Sequence, residues 1–264
     1  FQNILMDVTI LNSNSASDDG GGESQSENLK DISDEKLREL IGDSTSSLIL
    51  VGDISGADSQ DVANLISKIE NLIELKTLNL SNVTGLSEIS LPDDSKIQEL
   101  IIENSTTLKN VDVSESSLTK LNVKNCSQLE KLNCASCDIF ELIFDGCENL
   151  AELNCSYNHL AKLNVSNLEK LSVLKCDHQS IRGVSFEKNF DFTENLNFES
   201  SEISSVKNLQ AFNKNGENIS LNFNENSGEI IFEKIPAAIK YNFATGFQNI
   251  LMDVTILNSN SASD

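Results

Sequence analysis

The sequence predicts a repeat solenoid that is mostly β, with two short strands in each 21-residue coil. Two interleaved series of apolar triplets, their fixed spacing and the period-2 alternation within each triplet carry this prediction. An α/β cap is expected before the coils, and a β-rich cap containing many phenylalanines after them.

The segment ahead of the coils is expected to combine helices with strands. Ser33 is placed to cap a helix over residues 34–41, which Gly42 ends. Strands are expected over 47–51 and 77–80. Between them apolar residues recur at the spacing of one helix face and predict a second helix: Val62, Leu65, Ile66, Ile69 and Leu72.

The first triplet series repeats every 21 residues. Its members are Ile97-Leu100-Ile102, Leu118-Leu121-Val123, Ile139-Leu142-Phe144, Leu160-Leu163-Val165 and Ile181-Val184-Phe186. The strands of Leu48 and Leu78 extend this series backward, and we predict that it forms the concave sheet. Its outward columns alternate in charge, which predicts attraction between neighbouring strands: Glu99, Lys120, Glu141 and Lys162, then Glu103, Lys124 and Asp145.

The second triplet series interleaves with the first. Its members are Leu86-Ile89-Leu91, Leu108-Val111-Val113, Leu129-Leu132-Cys134, Leu150-Leu153-Cys155 and Leu171-Leu174-Cys176. In both series the apolar residues are expected to point inward and the residues between them outward.

The regular period ends after Phe186, and phenylalanine accumulates beyond it: Phe190, Phe192, Phe198, Phe212, Phe223 and Phe232. An irregular aromatic region is suited to cover the last open coil. Strands are expected near 219–224, 229–233 and 239–243.

An identical segment stands at both ends of the sequence. Residues 1–18 read F-Q-N-I-L-M-D-V-T-I-L-N-S-N-S-A-S-D and recur letter for letter as residues 247–264. Two interpretations remain open: a tandem array of near-identical modules with a 246-residue period, or an artificial duplication. Since the chain starts at Phe1 rather than Met, we expect a mature form or a fragment of a longer protein.

We predict that the repeated segment is a strand that links modules. Residues 240–243 and 248–257 read as a hairpin around an Ala-Thr-Gly turn, so the second copy would complete the cap of its own module. The first copy has no such upstream partner and would complete a preceding module. The linking residues are Ile4, Met6, Val8, Ile10, Ile250, Met252, Val254 and Ile256.

These elements divide the chain into six segments. The repeated strand occupies 1–11, and a flexible linker rich in Ser, Asn and Gly follows over 12–28. The N-terminal cap with two helices spans 29–75, the solenoid 76–190 and the C-terminal cap with its hairpin 191–257. Residues 258–264 begin the next linker.

One unit resembles a known family. Residues 150–160 read L-A-E-L-N-C-S-Y-N-H-L, which is similar to the leucine-rich repeat pattern L-x-x-L-x-L-x-x-N-x-L. With the following A-K-L-N-V-S it resembles the repeats of bacterial surface leucine-rich repeat proteins, over roughly residues 46 to 210. The resemblance implies a structural or binding role and no catalysis. Ser116, Cys137, Asn158 and Gln179 fill the Asn position, so side chains other than Asn are expected to satisfy part of the turn backbone.

The six cysteines have three interpretations: disulfides, a zinc site, or small apolar core residues. Cys134, Cys155 and Cys176 form one column, and Cys126 with Cys147 forms another. Three stacked cysteines cannot all pair, adjacent parallel strands give poor disulfide geometry, and only one C-x-x-C is present. We therefore predict six buried thiols.

Other candidate sites are weaker. Tyr157, His159 and His178 form a possible recognition patch, because they fall close together across one period. Weak surface binding of Ca²⁺ is possible at acidic residues near glycines: Asp18, Asp19, Asp53 and Asp58. No cofactor or other metal is expected.

Composition excludes several classes of function. With 19 basic against 41 acidic residues, the net charge of −22 excludes general nucleic-acid binding and disfavours anionic membranes. No apolar run long enough to span a membrane and no signal peptide is recognised. No pairing of nucleophile and base, phosphate-binding glycine loop or HExxH motif is found, so an enzyme is not expected.

Two functions remain. The first is a non-enzymatic structural or adhesive module at a bacterial cell surface or outside the cell, linked head to tail in an array or filament; its partners are other copies of the module. The alternative is a ligand-binding leucine-rich repeat receptor that holds a host or cell-surface protein or glycan on its concave face. A receptor is expected to have exposed aromatic residues on that face. The positions there are instead occupied by Ile101, Asn122, Ile143, Asn164 and Ser185, which favours the structural role.

Overall fold

A computed structural model of the chain describes residues 7–12, 27–28, 35, 46–54, 59–72, 74–92, 95–185 and 188–259. The chain forms two compact units. The first comprises residues 1–154 and 168–173, and the second comprises residues 155–167 and 174–264.

The first unit contains a seven-stranded sheet in the order β10-β8-β6-β4-β3-β1-β2. Neighbours from β3 to β10 run parallel, whereas β1 runs antiparallel to both β3 and β2. The strands are β1 (Asp7–Asn12), β2 (Glu27–Asn28), β3 (Ser47–Asp53), β4 (Thr77–Thr84), β6 (Glu99–Ile101), β8 (Lys120–Asn122) and β10 (Glu141–Ile143).

A second sheet has the order β12-β11-β9-β7-β5, and its strands from β5 to β11 run parallel. Its strands are β5 (Glu88–Ser90), β7 (Asn110–Asp112), β9 (Lys131–Asn133), β11 (Glu152–Asn154) and β12 (Val173–Lys175). Helix α1 (Ser59–Leu72) connects β3 to β4, and it contacts β5. The predicted helical spacing is confirmed, since Val62, Leu65, Ile66 and Ile69 are buried.

The strand register confirms the predicted 21-residue period in the regular coils, from Leu100 to Leu142 in one sheet and from Val111 to Leu153 in the other, and shows longer steps of 30 and 22 residues before Leu100. Leu48 lies beside Leu78, Leu78 beside Leu100, and Leu100 beside Leu121. These four leucines are almost fully buried, as are the central residues of β5, β7, β9 and β11. Leu142 is half-buried. The first unit is therefore a β-rich repeat fold in which each sheet gains one strand per period.

The alternating charge column is confirmed in part. Lys120 Nζ lies 3.1 Å from Glu141 Oε2, and the register also places Lys120 beside Glu99. Lys162 instead pairs with Glu202, at 2.5 Å, in the second unit. The carboxylate of Glu103 accepts a hydrogen bond from the side-chain amide of Asn122, which lies in the neighbouring coil. A pair that the sequence analysis did not predict, Lys131–Glu152 at 2.8 Å, lies in the second sheet.

Buried side chains at the turns satisfy backbone carbonyls, as predicted. Ser116 Oγ donates to the Val113 carbonyl, and Cys137 Sγ donates to the same oxygen from one period later. Asn158 Nδ2 donates to the carbonyls of residues 155 and 156, while Gln179 Nε2 donates to those of 155 and 176. Different side chains thus perform the same task along one column.

The second unit contains two further sheets. The larger has the order β13-β20-β19-β15-β16, and the smaller has the order β14-β18-β17. Their strands are β13 (Gln179–Val184), β14 (Asn189–Asp191), β15 (Val206–Phe212), β16 (Asn218–Ile219), β17 (Leu221–Phe223), β18 (Glu229–Phe232), β19 (Ala238–Ala244) and β20 (Leu251–Asn258). A short helix, α2 (Phe192–Leu196), and a 3₁₀ turn (Ile203–Ser205) join β14 to β15.

Aromatic packing forms the core of the second unit, as the accumulation of phenylalanine predicted. Phe192 is fully buried, and its ring centroid lies between 5.1 and 5.9 Å from those of Phe190, Phe198, Phe223 and Tyr241. Burial raises the pKa of the Tyr241 hydroxyl well above its usual value. That hydroxyl donates to the Ala161 carbonyl at 2.7 Å, so it keeps a partner inside the core.

The predicted strands of the second unit are confirmed near 219–224, 229–233 and 239–243. Strands β14 and β15 and helix α2 were not predicted. Strand β13 begins before the predicted triplet of Ile181 and Val184, and the predicted strand around Leu163 is wrong, since residues 160–165 form no strand. Of the predicted helix over 34–41, Glu35 is helical and the rest lies outside the described residues, as do Phe186 and residues 13–26 of the expected linker. Residues 27–28 form β2 rather than linker, because they pair with Asp7 and Val8.

All six cysteines are free thiols and buried, which confirms that prediction. Cys126 Sγ donates to the Ile102 carbonyl at 3.0 Å, and Cys147 Sγ donates to the Val123 carbonyl at 3.1 Å. Burial raises the pKa of Cys147 and of Cys176 to about 12, and it also raises that of Cys134. These thiols are therefore protonated at neutral pH. Among the helices of the described residues, none has the length and apolarity that crossing a bilayer requires.

Candidate functional site

The second copy of the repeated segment forms β20, the strand between β13 and β19. It pairs antiparallel with β19, from Ala238 opposite Leu257 to Ala244 opposite Leu251, so the predicted hairpin is confirmed. The turn is longer than the predicted Ala-Thr-Gly, because it runs from Thr245 to Ile250. It is closed by Thr245 Oγ1, which donates to the Ile250 carbonyl at 2.9 Å.

Alternate side chains of β20 point into the core of the second unit. Met252, Val254 and Ile256 are at most 1% exposed, as predicted for three of the linking residues. Ile250 differs from the prediction: it is half-buried and lies in the turn, where the alternation has not yet begun. Leu251 and Leu257 lie on the opposite face, about two-fifths exposed.

β20 and the turn before it continue the hydrogen-bond ladder of the coils. In the coils, a backbone amide donates to a carbonyl one period later, as Tyr157 N does to the Asp177 carbonyl. At the end of that column, His178 N donates to the Asp253 carboxylate of β20 at 3.0 Å. In the other column, Val165 N donates to the Thr245 carbonyl at 2.9 Å. The second copy therefore occupies the place of a next coil.

The end of β20 is also held by specific contacts. Asn258 is buried, its side chain donates to the Pro236 carbonyl, and its backbone amide donates to the Ala237 carbonyl. Gly246 has φ +80°, and a Cβ there would lie 2.8 Å from the Cβ of Ser166. The turn thus favours glycine at residue 246 for two reasons: the positive φ, and the close approach of Ser166.

The first copy lies on β3 of the same chain. Its described part, β1, has the letters of residues 253–258 and pairs antiparallel with β3, from Asp7 opposite Asp53 to Asn12 opposite Leu48. This copy therefore has a partner strand downstream in its own chain, which the sequence analysis did not predict. The edge of β3 supplies an antiparallel partner, which strand periodicity alone does not reveal. Val8 and Ile10 lie in β1, and Ile4 and Met6 lie outside the described residues.

At both sites a residue of the repeated strand lies opposite a buried residue of its partner strand. Ile10 lies opposite Leu50, and its equivalent Ile256 lies opposite Ile239. Val8 lies opposite Gly52, and its equivalent Val254 lies opposite Tyr241. Leu50, Ile239 and Tyr241 are at most 3% exposed. The repeated strand thus pairs with two different sheets through the same letters.

The predicted recognition patch is brought together in part. The rings of Tyr157 and His178 stack, with centroids 4.4 Å apart and planes at 12°. His178 Nδ1 lies 2.5 Å from Asp177 Oδ2, and Ser156 Oγ donates to the other oxygen of that carboxylate. The bond from Ser156, assisted by His178, lowers the pKa of Asp177 against the opposing effect of burial. His159 contacts the Ser180 carbonyl through Nδ1.

A metal site is not formed by the residues that the structure describes, since they contain no group of three or more His, Cys, Asp or Glu placed to hold an ion. Of the residues considered for weak Ca²⁺ binding, Asp53 accepts a hydrogen bond from Thr84. Asp18, Asp19 and Asp58 lie outside the described residues. Weak Ca²⁺ binding stays a prediction.

The capping contacts of Asp253, Asn258 and the Thr245 carbonyl were missed by sequence reasoning. Asp253 lies 75 residues along the chain from the amide that it accepts. The sequence signal was limited to a polar residue between two inward apolar ones. That signal predicts an outward side chain and does not identify its partner.

Three solved structures are similar to this chain. The internalin-like protein lmo2027 of Listeria monocytogenes is 15% identical and covers 86% of this chain and 90% of its own, at a TM-score of 0.33. The functional domain of InlJ from Listeria monocytogenes, which includes a cysteine ladder, is 14% identical. The match covers 80% of this chain and 67% of that domain, at a TM-score of 0.21. The structure of CBM51-2 in complex with GlcNAc and INT domains from Clostridium perfringens ZmpB is 19% identical. The match covers 42% of this chain and 26% of that chain, at a TM-score of 0.27.

No protein-family model matches the sequence, and no curated protein matches it. The β-rich repeat fold is carried by the strand register of this chain itself.

Proposed function

We propose that this chain is a non-enzymatic module of a bacterial surface protein, built as a leucine-rich repeat solenoid and linked head to tail to further modules. The observation that carries the proposal is the placement of the repeated segment. Its second copy is a buried central strand that stands in for a next coil, and the same letters begin the sequence again. In an array, each copy would close one module and continue directly into the next.

The coils support a structural or adhesive role. Their interior is apolar, their cysteines are buried and protonated, and their turn side chains are used to satisfy the backbone. Such a scaffold presents a long, rigid surface at the cell exterior, where a repeat protein binds other macromolecules over an extended area. The negative charge limits such partners to surfaces that are not strongly anionic.

A two-module chain tests the linkage. Residues 1–264 followed directly by residues 19–264 give two modules that share the middle copy. Pulling on single molecules should show two unfolding events of similar length. Aspartates at the positions of Val254 and Ile256 in the middle copy should weaken the first module and leave the second unchanged.

The matched control places the same two charges at Leu251 and Leu257 of the middle copy, which are exposed on the outer face. That variant should unfold like the parent chain. Equal unfolding forces with the inward and the outward substitutions would contradict the proposed role of the strand. Trypsin treatment of intact source cells, which should release peptides of this chain, tests the surface location separately.

A second candidate is ligand binding, favoured by the exposed stack of Tyr157 on His178. Aromatic rings with one free face bind sugars and apolar side chains. The predicted concave positions offer less: Ile101, Asn122 and Ile143 are half-buried. Binding to arrayed glycans that is lost in Tyr157→Ala and kept in Phe140→Ala, a change at another exposed aromatic, would support this candidate.

A further inference from the structure

We propose that the edge of β3 is a docking site for the repeated strand of a second copy of this chain. The inference rests on the proposed array for its biological setting, and on the strand pairing for its physics. The occupant is defined, because the structure shows this edge filled by a segment whose letters occur twice in the sequence.

The site recognises a strand through the backbone hydrogen bonds of its edge. β3 is paired with β4 on one side, and its other edge is covered by β1. Without that cover, the edge would present a row of unpaired amides and carbonyls, which is a template for strand addition. Every letter that β1 supplies is also present in β20, so a copy from any molecule has the pairing residues that the edge requires.

Among the residues that the structure describes, the first copy is paired less extensively than the second. β20 is flanked on both sides, by β19 and by β13, along most of its length. β1 is paired along its length with β3, and the described residues on its other side pair with it at Asp7 and Val8. A single copy placed between two modules would therefore fill the β13–β19 position of the first module and leave β3 of the second uncovered.

A peptide cross-linking experiment on the full chain tests the site. The peptide is residues 1–18 with Thr9→Cys, activated as a mixed disulfide with thionitrobenzoate, and the chain carries Val51→Cys, since Thr9 lies directly opposite Val51. Attack by the thiolate of the chain forms the new disulfide and releases thionitrobenzoate as the free thiolate. Val8→Asp/Ile10→Asp in the chain weakens its own first copy. We expect a disulfide between peptide and chain that forms at least about tenfold faster in this variant than in the chain with the intact first copy, which competes as a tethered strand.

Two controls define specificity. A peptide that also carries Val8→Asp/Ile10→Asp should not react. A chain with Lys240→Cys in place of Val51→Cys reports entry into the other position, because Lys240 lies opposite Thr255, the equivalent of Thr9. Reaction at Lys240→Cys alone, or equal rates with and without the weakened first copy, would overturn the proposal.

If the double aspartate variant does not fold, the chain with Val51→Cys and the intact first copy is unfolded and refolded in excess peptide. Cross-linking at Val51→Cys that rises with peptide concentration supports the site, and its absence overturns it. The two-module force measurement addresses the array, whereas this experiment uses a single module. Failure of one is therefore distinguishable from failure of the other.

Discussion

At the residue scale, the cysteines show how one side chain serves two purposes in a narrow repeat. Cys126 and Cys147 fill apolar space, and their thiols donate to carbonyls of the preceding period. An alanine in place of either cysteine would be small and apolar but could not donate a hydrogen bond to the carbonyl. A serine could donate that hydrogen bond, but its hydroxyl is more polar than a thiol. Cysteine provides both a small apolar volume and a weak donor.

The thiols predict a loss of stability at alkaline pH. Burial raises the pKa values of Cys147 and Cys176 to about 12, against an ordinary value of 9.0 in the unfolded chain. Because the folded pKa is raised, this stabilisation is complete below about pH 9 and is lost as pH rises toward 12. Each thiol contributes a slope of at most ~1.4 kcal/mol per pH unit. Thermal unfolding from pH 7 to 10.5 should therefore show a shallower decline in Cys147→Ala/Cys176→Ala than in the parent chain.

A chemical count checks the same residues. Alkylation in denaturant without reductant should add six labels, because all six cysteines are free. Alkylation of the folded chain at neutral pH should be slow, since the thiolate is the reactive form and burial disfavours it. Fewer than five labels in denaturant would indicate disulfides.

At the element scale, the 245–250 turn is predicted to depend on Gly246. Its φ of +80° disfavours any other residue, and an added Cβ would meet both Cα and Cβ of Ser166. Gly246→Ala should destabilise the chain by ~2–4 kcal/mol in chemical denaturation, because it combines backbone strain with a steric clash.

Gly216 provides the matched control. It has φ +78° and open space around the position of a Cβ, so Gly216→Ala incurs the backbone strain alone. We expect it to cost ~1 kcal/mol. Equal effects of the two substitutions would mean that Ser166 moves aside and that the turn is not closely packed.

The short strands and α1 could be predicted from the sequence because their signal is local. Apolar alternation at a fixed period places Leu100 beside Leu121 without knowledge of the fold. The pairing of β13 with β20 could not be predicted, because residues 179–181 meet residues 254–256 through backbone atoms that any sequence provides. Likewise, Tyr157 and His178 were expected to be neighbours from the period, whereas the capping role of Asp253 depends on a distant part of the chain.

At the scale of the whole molecule, the excess of acidic residues predicts a stability that depends on salt. With 41 acidic and 19 basic residues, mutual repulsion exceeds the attraction of surface pairs such as Lys131–Glu152. Salt screens exposed charges, with a Debye length of ~10 Å at 0.1 M. The melting temperature should rise as NaCl increases from ~0.01 to ~0.5 M.

Calcium at matched ionic strength separates general screening from a specific site. If weak Ca²⁺ binding occurs, CaCl₂ should raise the melting temperature beyond the effect of NaCl, and Asp53→Asn should reduce that excess. Equal curves for the two salts would contradict the Ca²⁺ expectation and leave the screening prediction intact.

The two positions of the repeated strand fix a stoichiometry. Each module has two places for the strand, whereas a chain that begins and ends with a copy has only one copy more than it has modules. A single module is therefore saturated, and every added module leaves one place vacant. The number of free peptides of residues 1–18 bound at saturation should then rise from zero by one with each added module, as measured by titration calorimetry. Longer arrays would be multivalent for one another, and their tendency to bundle would grow with length.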